Sequence, residues 1–103
     1  VDAGNGASGF YAKEVLEKLG ADVSGSQFLD PDGTFPNHQP NPENEEAMES
    51  ICKAVWVSKS DLGIIFDTDG DRSAAVDENA KALFGKPLSR FDIPLFGLIA
   101  GTG

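Results

Sequence analysis

Apolar positions along the 103-residue chain fall into short segments of differing period. Val1-Asp2-Ala3 reads as the end of a strand, and a glycine-rich turn, Gly4 to Gly9, leads out of it. From Phe10 to Leu19, apolar residues at 11, 12, 15, 16 and 19 recur at helical spacing, with Gly20 as the stop. A short strand is expected within Asp22 to Leu29, where alternation is poor. After it comes a loop, Asp30 to Asn41, holding Pro31, Pro36 and Pro40. Asn41 as a cap with Pro42 in the first turn predicts a second helix, its stripe formed by Ala47, Met48, Ile51, Cys52, Val55 and Trp56. The compact apolar run Asp61 to Phe66 predicts a strand buried on both faces, of the parallel-sheet kind. Ser73 to Val76 predicts a partner strand returning from a tight turn. Ala80 to Phe84 reads as a further strand, and Asp92 onward as a helix with Pro94 in its first turn. Alternating strands and helices predict one α/β domain over residues 1–103: three layers, α/β/α, around a small mixed, mostly parallel four-stranded sheet.

Charge changes the picture more than composition does. Apolar residues at 40% and charged residues at 24% are ordinary for a globular chain. Lys and Arg number 8 against 17 Asp and Glu, a net charge of −9. Such a balance argues against nucleic acid or an anionic membrane as partner and makes cations the natural counterpart. The single cysteine, Cys52, excludes an internal disulfide framework and a cysteine-based zinc cluster, and fits a reducing, cytoplasmic setting. No basic segment precedes an apolar stretch as in a signal peptide. The longest apolar run, Ile93 to Ala100, contains Pro94 and Gly97 and is far short of the roughly 20 residues of a membrane span. The chain starts without Met, on what reads as the tail of a strand, so it is expected to be a piece of something longer.

The most informative stretch is Asp67-Thr68-Asp69-Gly70-Asp71-Arg72, directly after the buried strand. Three carboxylates this close repel one another unless a cation compensates them. In an extended strand, residues two apart lie roughly 6.6 Å from each other, too far for three side chains to share one ion. The backbone must therefore curl, and Gly70 is where positive φ carries no steric penalty. Hard carboxylate oxygens suit Mg²⁺ and leave about three octahedral positions for water or a phosphate. Arg72 adds a planar donor fork suited to phosphate, and a metal beside an arginine is the equipment of phosphoryl transfer. Asp69-Gly70 is equally an ordinary hairpin signal on a solvated edge. A calcium loop would have its acids at positions 1, 3, 5 and 12 counted from Asp67 to Glu78, but position 6 holds Arg72 in place of glycine.

These residues carry a resemblance. Asp67 to Arg72, preceded by Asp61-Leu62-Gly63 and followed by Ala75-Val76-Asp77, resembles the metal loop of the α-D-phosphohexomutases, the phosphoglucomutase and phosphomannomutase enzymes. Val1-Asp2-Ala3-Gly4-Asn5-Gly6-Ala7 looks like the opening of that family's second domain. The middle, Pro31-Asp32-Gly33-Thr34-Phe35-Pro36-Asn37-His38 with Pro40-Asn41-Pro42-Glu43, matches in the same order. The resemblance covers about residues 1–78 and is loose over 80–103, where Ala80 stands in place of a usual glycine. It implies that Asp67, Asp69 and Asp71 hold Mg²⁺, with a phosphoserine from another domain as the further ligand, and that Arg72 lies beside the phosphoryl group as a catalytic residue. It further implies interconversion of hexose 1-phosphate and hexose 6-phosphate, of glucose or mannose, through a bisphosphorylated sugar. The family's Ser-His-Asn-Pro and Gly-Glu-Met-Ser-Gly-His segments do not occur in this chain, so the chain alone is expected to be inactive and to contact other domains of its parent.

Other features have plainer readings. Gly4-x-Gly6-x-x-Gly9 with Asp22 matches a dinucleotide fingerprint and keeps open an alternative, a stand-alone nucleotide- or phosphate-binding module. A structural strand-to-helix turn is the reading preferred. His38 sits in a proline-rich loop with nothing nearby in sequence to orient it, which favours a loop or domain-interface role. Cys52 is read as a small core residue and Trp56 as core or an interdomain contact. Glu43, Glu45, Glu46 and Glu49 suit the positive end of a helix and require no site.

Overall fold

Strand β1, Leu62–Phe66, and strand β2, Ser73–Asp77, form an antiparallel ladder running from Leu62↔Asp77 to Phe66↔Ser73. The computed structural model describes residues 1–83. On the far side of β1, Asp2 makes a parallel bridge to Ile65 and a second one to Gln27. The sheet is therefore mixed, as expected, while the mostly parallel, four-stranded arrangement is not confirmed: among the described residues the one full ladder is antiparallel and the parallel pairs are single bridges. The physical reason lies in the connection, since six residues between β1 and β2 can only turn the chain back on itself. The apolar run also overstates burial: Gly63 and Ile65 are buried on the α1 side, but on the other face Leu62 is exposed and Ile64 half-buried, and the run says nothing about direction. The strand read in Asp22 to Leu29 is reduced to the Gln27 bridge, and that read from Ala80 to the antiparallel bridge Val76↔Ala82. Phe84 and the helix expected from Asp92 lie outside the described residues.

Helix α1, Glu45–Ser58, covers one face of the hairpin. Ala47, Ile51 and Val55 recur every four residues and bury against Ile65, Ala74 and Val76. Gly63 is a glycine because α1 lies so close: a Cβ there would collide with Val55 and sit 3.1 Å from Ile51 Cγ1. Met48 and Cys52 flank this core half-buried, whereas Trp56 is 66% exposed, so the apolar stripe is narrower than its sequence pattern. The helix also starts later than Asn41-Pro42 suggests. Asn44 is the cap, extended at φ −82°, ψ 130°, and its side chain accepts the Ala47 N–H at 3.1 Å. Asn41 instead closes a turn of its own, accepting from the Glu43 and Asn44 N–H groups at 2.9 Å each, and Pro42 is buried in it.

The opposite face carries Phe66, which meets Tyr11 edge-to-face at 5.4 Å. Tyr11 belongs to a helical run that departs from the regular α-helix expected over Phe10 to Leu19. It is made of 3₁₀ turns at Ala7–Gly9 and Glu17–Leu19 around a π-helical segment, Ala12–Leu16. Of its apolar positions only Ala12 is fully buried and Leu19 is 79% exposed, so tertiary packing enforces α geometry weakly here. Gly20, left-handed at φ 98°, ends the run where its sequence position indicates.

Candidate metal centre

The acidic turn begins where β1 ends. The Asp67 N–H donates to the Arg72 carbonyl at 3.1 Å, which pinches the hairpin shut and forces the residues between into a curl. Gly70 sits at φ +79°, and a Cβ there would strike the Ser8 hydroxyl, so both backbone conformation and space require glycine. The glycine-rich N-terminal turn packs directly beneath. The Ala7 N–H donates to the Thr68 carbonyl at 2.8 Å, and a Cβ on Gly6 would lie 2.7 Å from that same oxygen. Gly9 abuts the Leu29 backbone. These close approaches are filled by protein, which supports the structural reading of Gly4 to Gly9 over a nucleotide cradle.

Asp67 is the buried member of the trio, 4% exposed. Its Oδ1 accepts the N–H groups of Gly70 and Arg72 at 2.8 and 3.3 Å, and its Oδ2 accepts from Arg72 Nε at 3.1 Å. Asp69 and Asp71 are exposed, yet one oxygen from each of the three carboxylates lies within 4.8 Å of the others. The curl that the spacing demands is present, and the three acids converge. Burial pushes the Asp67 carboxyl up, but hydrogen bonds from Asp71, Arg72 and Gly70 outweigh it and hold the group below the usual range. Asp71 is pushed up to about 6 by its hydrogen bonds to Asp67 and Asp69 and by their charges. Without a cation, then, the turn's repulsion shows in Asp71, whose carboxyl takes up a proton more readily than a free aspartate does.

This arrangement fits a hard divalent cation on the chemistry of its donors. All are carboxylate oxygens, one anchored and two free to adjust, and a cation would offset the mutual repulsion that pushes the Asp71 carboxyl up. The Arg72 side chain is 47% exposed and tied to Asp67 through Nε, which orients the guanidinium beside the trio. The acidic turn faces a cleft of about 500 Å³ whose other wall is Gln39, Pro40 and Asn41.

His38, one residue before that wall, is where the sequence reading is corrected. It is 7% exposed, and Nε2 lies 2.9 Å from both oxygens of the fully buried Asp2. A partner 36 residues away orients it, a pairing for which local sequence gives no signal beyond an acid at a strand end. Cys52 is half-buried against the core as expected, and burial pushes its thiol up. No helix among the described residues is long and apolar enough to cross a membrane.

Comparison with known proteins agrees with the geometry. Residues 1–81 match the family model for phosphoglucomutase/phosphomannomutase, alpha/beta/alpha domain II. A phosphomannomutase/phosphoglucomutase of Pseudomonas syringae pv. tomato is 40% identical over 84 residues, 82% of this chain and 18% of the relative. A phosphomannomutase of Methanocaldococcus jannaschii is 42% identical over 91 residues, 86% of this chain and 20% of the relative. An X-ray structure of a phosphoglucomutase/phosphomannomutase family protein from Burkholderia thailandensis superposes with a TM-score of 0.72 at 34% identity, covering 79% of this chain and 18% of that one. The chain thus spans about a fifth of the length of these relatives. With fold, acidic turn and sequence in agreement, the chain belongs to the phosphoglucomutase/phosphomannomutase family, in which it corresponds to domain II.

Proposed function

We propose that this chain is the Mg²⁺-carrying domain of a phosphohexomutase that interconverts hexose 1-phosphate and hexose 6-phosphate, of glucose or mannose, through a phosphoserine and a bisphosphorylated sugar. The observation that carries the reading is the convergence of Asp67, Asp69 and Asp71 within 4.8 Å, with Arg72 bonded to the buried one. The names of the relatives support the reaction class. When bound, Mg²⁺ supplies charge neutralisation for a phosphoryl group. The chain's residues have separate tasks. Asp67 anchors the turn through its backbone bonds and fixes Arg72. Asp69 and Asp71 present the outer oxygens. Arg72, the catalytic residue of this domain, offers its free N–H groups to phosphoryl oxygens. The phosphoserine, the sugar-reading groups and the remaining walls of the site are assigned to other domains of the parent. Trp56 and Val57, 66% and 71% exposed, are the natural candidates for contact with those domains. The chain alone is then inactive, and the parent works in the cytoplasm with neither nucleic acid nor membrane as partner.

The test is a titration of the ¹⁵N-labelled chain with Mg²⁺. Amide shifts should centre on Asp67 to Arg72. Shifts at Gly4 to Gly9 on addition of NAD or ATP, with none at the acidic turn on addition of Mg²⁺, would favour the nucleotide-binding module instead.

A further inference from the structure

The buried pair Asp2–His38 has no part in holding a cation, yet it joins the two walls of the cleft. Asp2 is fully buried and is a hub for distant segments. Its carboxylate accepts from the Gly4 N–H at 2.8 Å, Gln27 Nε2 at 2.9 Å, Ser50 Oγ at 3.3 Å and His38 Nε2 at 2.9 Å. Its backbone pairs with β1 just before the acidic turn: Asp2 N–H to the Ile64 carbonyl at 2.9 Å, and Phe66 N–H to the Asp2 carbonyl at 3.1 Å. On the other side, His38 Nδ1 lies 2.8 Å from the Gln39 carbonyl, which also accepts the Asn41 N–H at 2.8 Å. Both ring nitrogens thus face oxygen acceptors, and the imidazole acts as a rigid bridge between them. Gly4, at φ +55°, lets this bridge close up: a Cβ there would lie 2.9 Å from His38 Cε1 and 3.0 Å from Pro40 Cβ.

We propose that His38 is a positioning residue of the substrate cleft, which through Asp2 sets the distance between the Gln39–Asn41 wall and the metal-binding turn. The inference rests on the metal reading above, and it assigns Gln39 and Asn41 as the neutral, carboxamide-bearing side of a site whose other side is charged. A purely structural histidine would stabilise the fold without controlling that distance.

The test uses Mn²⁺ alone, added in small amounts to the ¹⁵N-labelled chain, because its paramagnetism broadens nearby amides. In the wild type, amides of Asp67 to Arg72 and also of Gln39 and Asn41 should broaden. Two variants each keep half of the bridge: His38→Asn retains a donor at the Nδ1 position, His38→Gln one at the Nε2 position. Both should leave Asp67 to Arg72 broadened, and Val55 and Val76 shifts unchanged, while Gln39 and Asn41 lose most of their broadening. Undiminished broadening of Gln39 and Asn41 in both variants would overturn the proposal. Should substitution at 38 unfold the chain, the wild-type profile decides: sharp Gln39 and Asn41 amides beside a broadened acidic turn overturn it equally. Absence of broadening at the acidic turn itself removes the metal reading, and this inference with it.

Discussion

Asp67 organises the acidic turn because it is the one carboxylate of the three that is both buried and fully engaged. Two backbone N–H groups and Arg72 Nε converge on it, so its charge is compensated by protein whether or not a cation is bound. Asp69 and Asp71 have no such support, and their repulsion is what would drive the proposed cation binding. Asp69→Asn should therefore leave the fold intact and weaken cation binding by at least about tenfold, since loss even of groups behind the ligands typically costs that much. Protonation gives a second check. Asp71, pushed up to about 6 from the usual aspartate range, binds its proton more tightly when folded, so that proton stabilises the metal-free chain at low pH and the contribution is lost as pH rises through about 6. In metal-free buffer, Asp71→Asn should thus be more stable than wild type at pH 7, and the margin should shrink between pH 6 and 4. Urea unfolding at both ends of that window measures it. Gly70→Ala meets both a left-handed backbone and the Ser8 side chain, and should destabilise by more than about 1 kcal/mol while disrupting the trio.

At the scale of elements, the hairpin and α1 form the platform from which the turn projects. Ile51, 2% exposed, lies at the centre of their contact, so Ile51→Ala should cost about 2–5 kcal/mol in chemical denaturation. Asn44→Ala should cost about 1 kcal/mol through loss of the cap. How far such elements were legible in sequence depended on how local their causes are. The apolar run ending at Phe66, the i, i+4 repeat of Ala47, Ile51 and Val55, and the need for Gly70 to curl three acids together all follow from neighbours in the chain. The return of Ser73 to Val76 beside β1 also follows from the short turn between them, whereas the mostly parallel character expected of the sheet did not, because an apolar run looks the same in parallel and antiparallel pairs. Helix α1 is capped by Asn44, three residues later than expected, because Asn41 and Pro42 are taken up in a turn of their own. The Asp2–His38 pair was illegible because a buried hydrogen-bonded contact between segments 36 residues apart leaves no periodic trace.

At the scale of the molecule, a net charge of −9 and the cation-binding role proposed for the turn point the same way. Long-range repulsion destabilises the metal-free chain and draws divalent ions toward it. Because a cation held by the trio binds the folded state alone, Mg²⁺ at about a hundredfold above its dissociation constant should add about 2.7 kcal/mol and raise the thermal midpoint by about 10 °C. A chelator should reverse the shift. The most direct measurement of the central claim is calorimetric titration of Mg²⁺ into the wild-type chain and into Asp69→Asn at pH 7.5. The account predicts one saturable site per chain in the wild type and its loss or severe weakening in the variant. Equal binding by both proteins, or no saturable binding by the wild type, would contradict it.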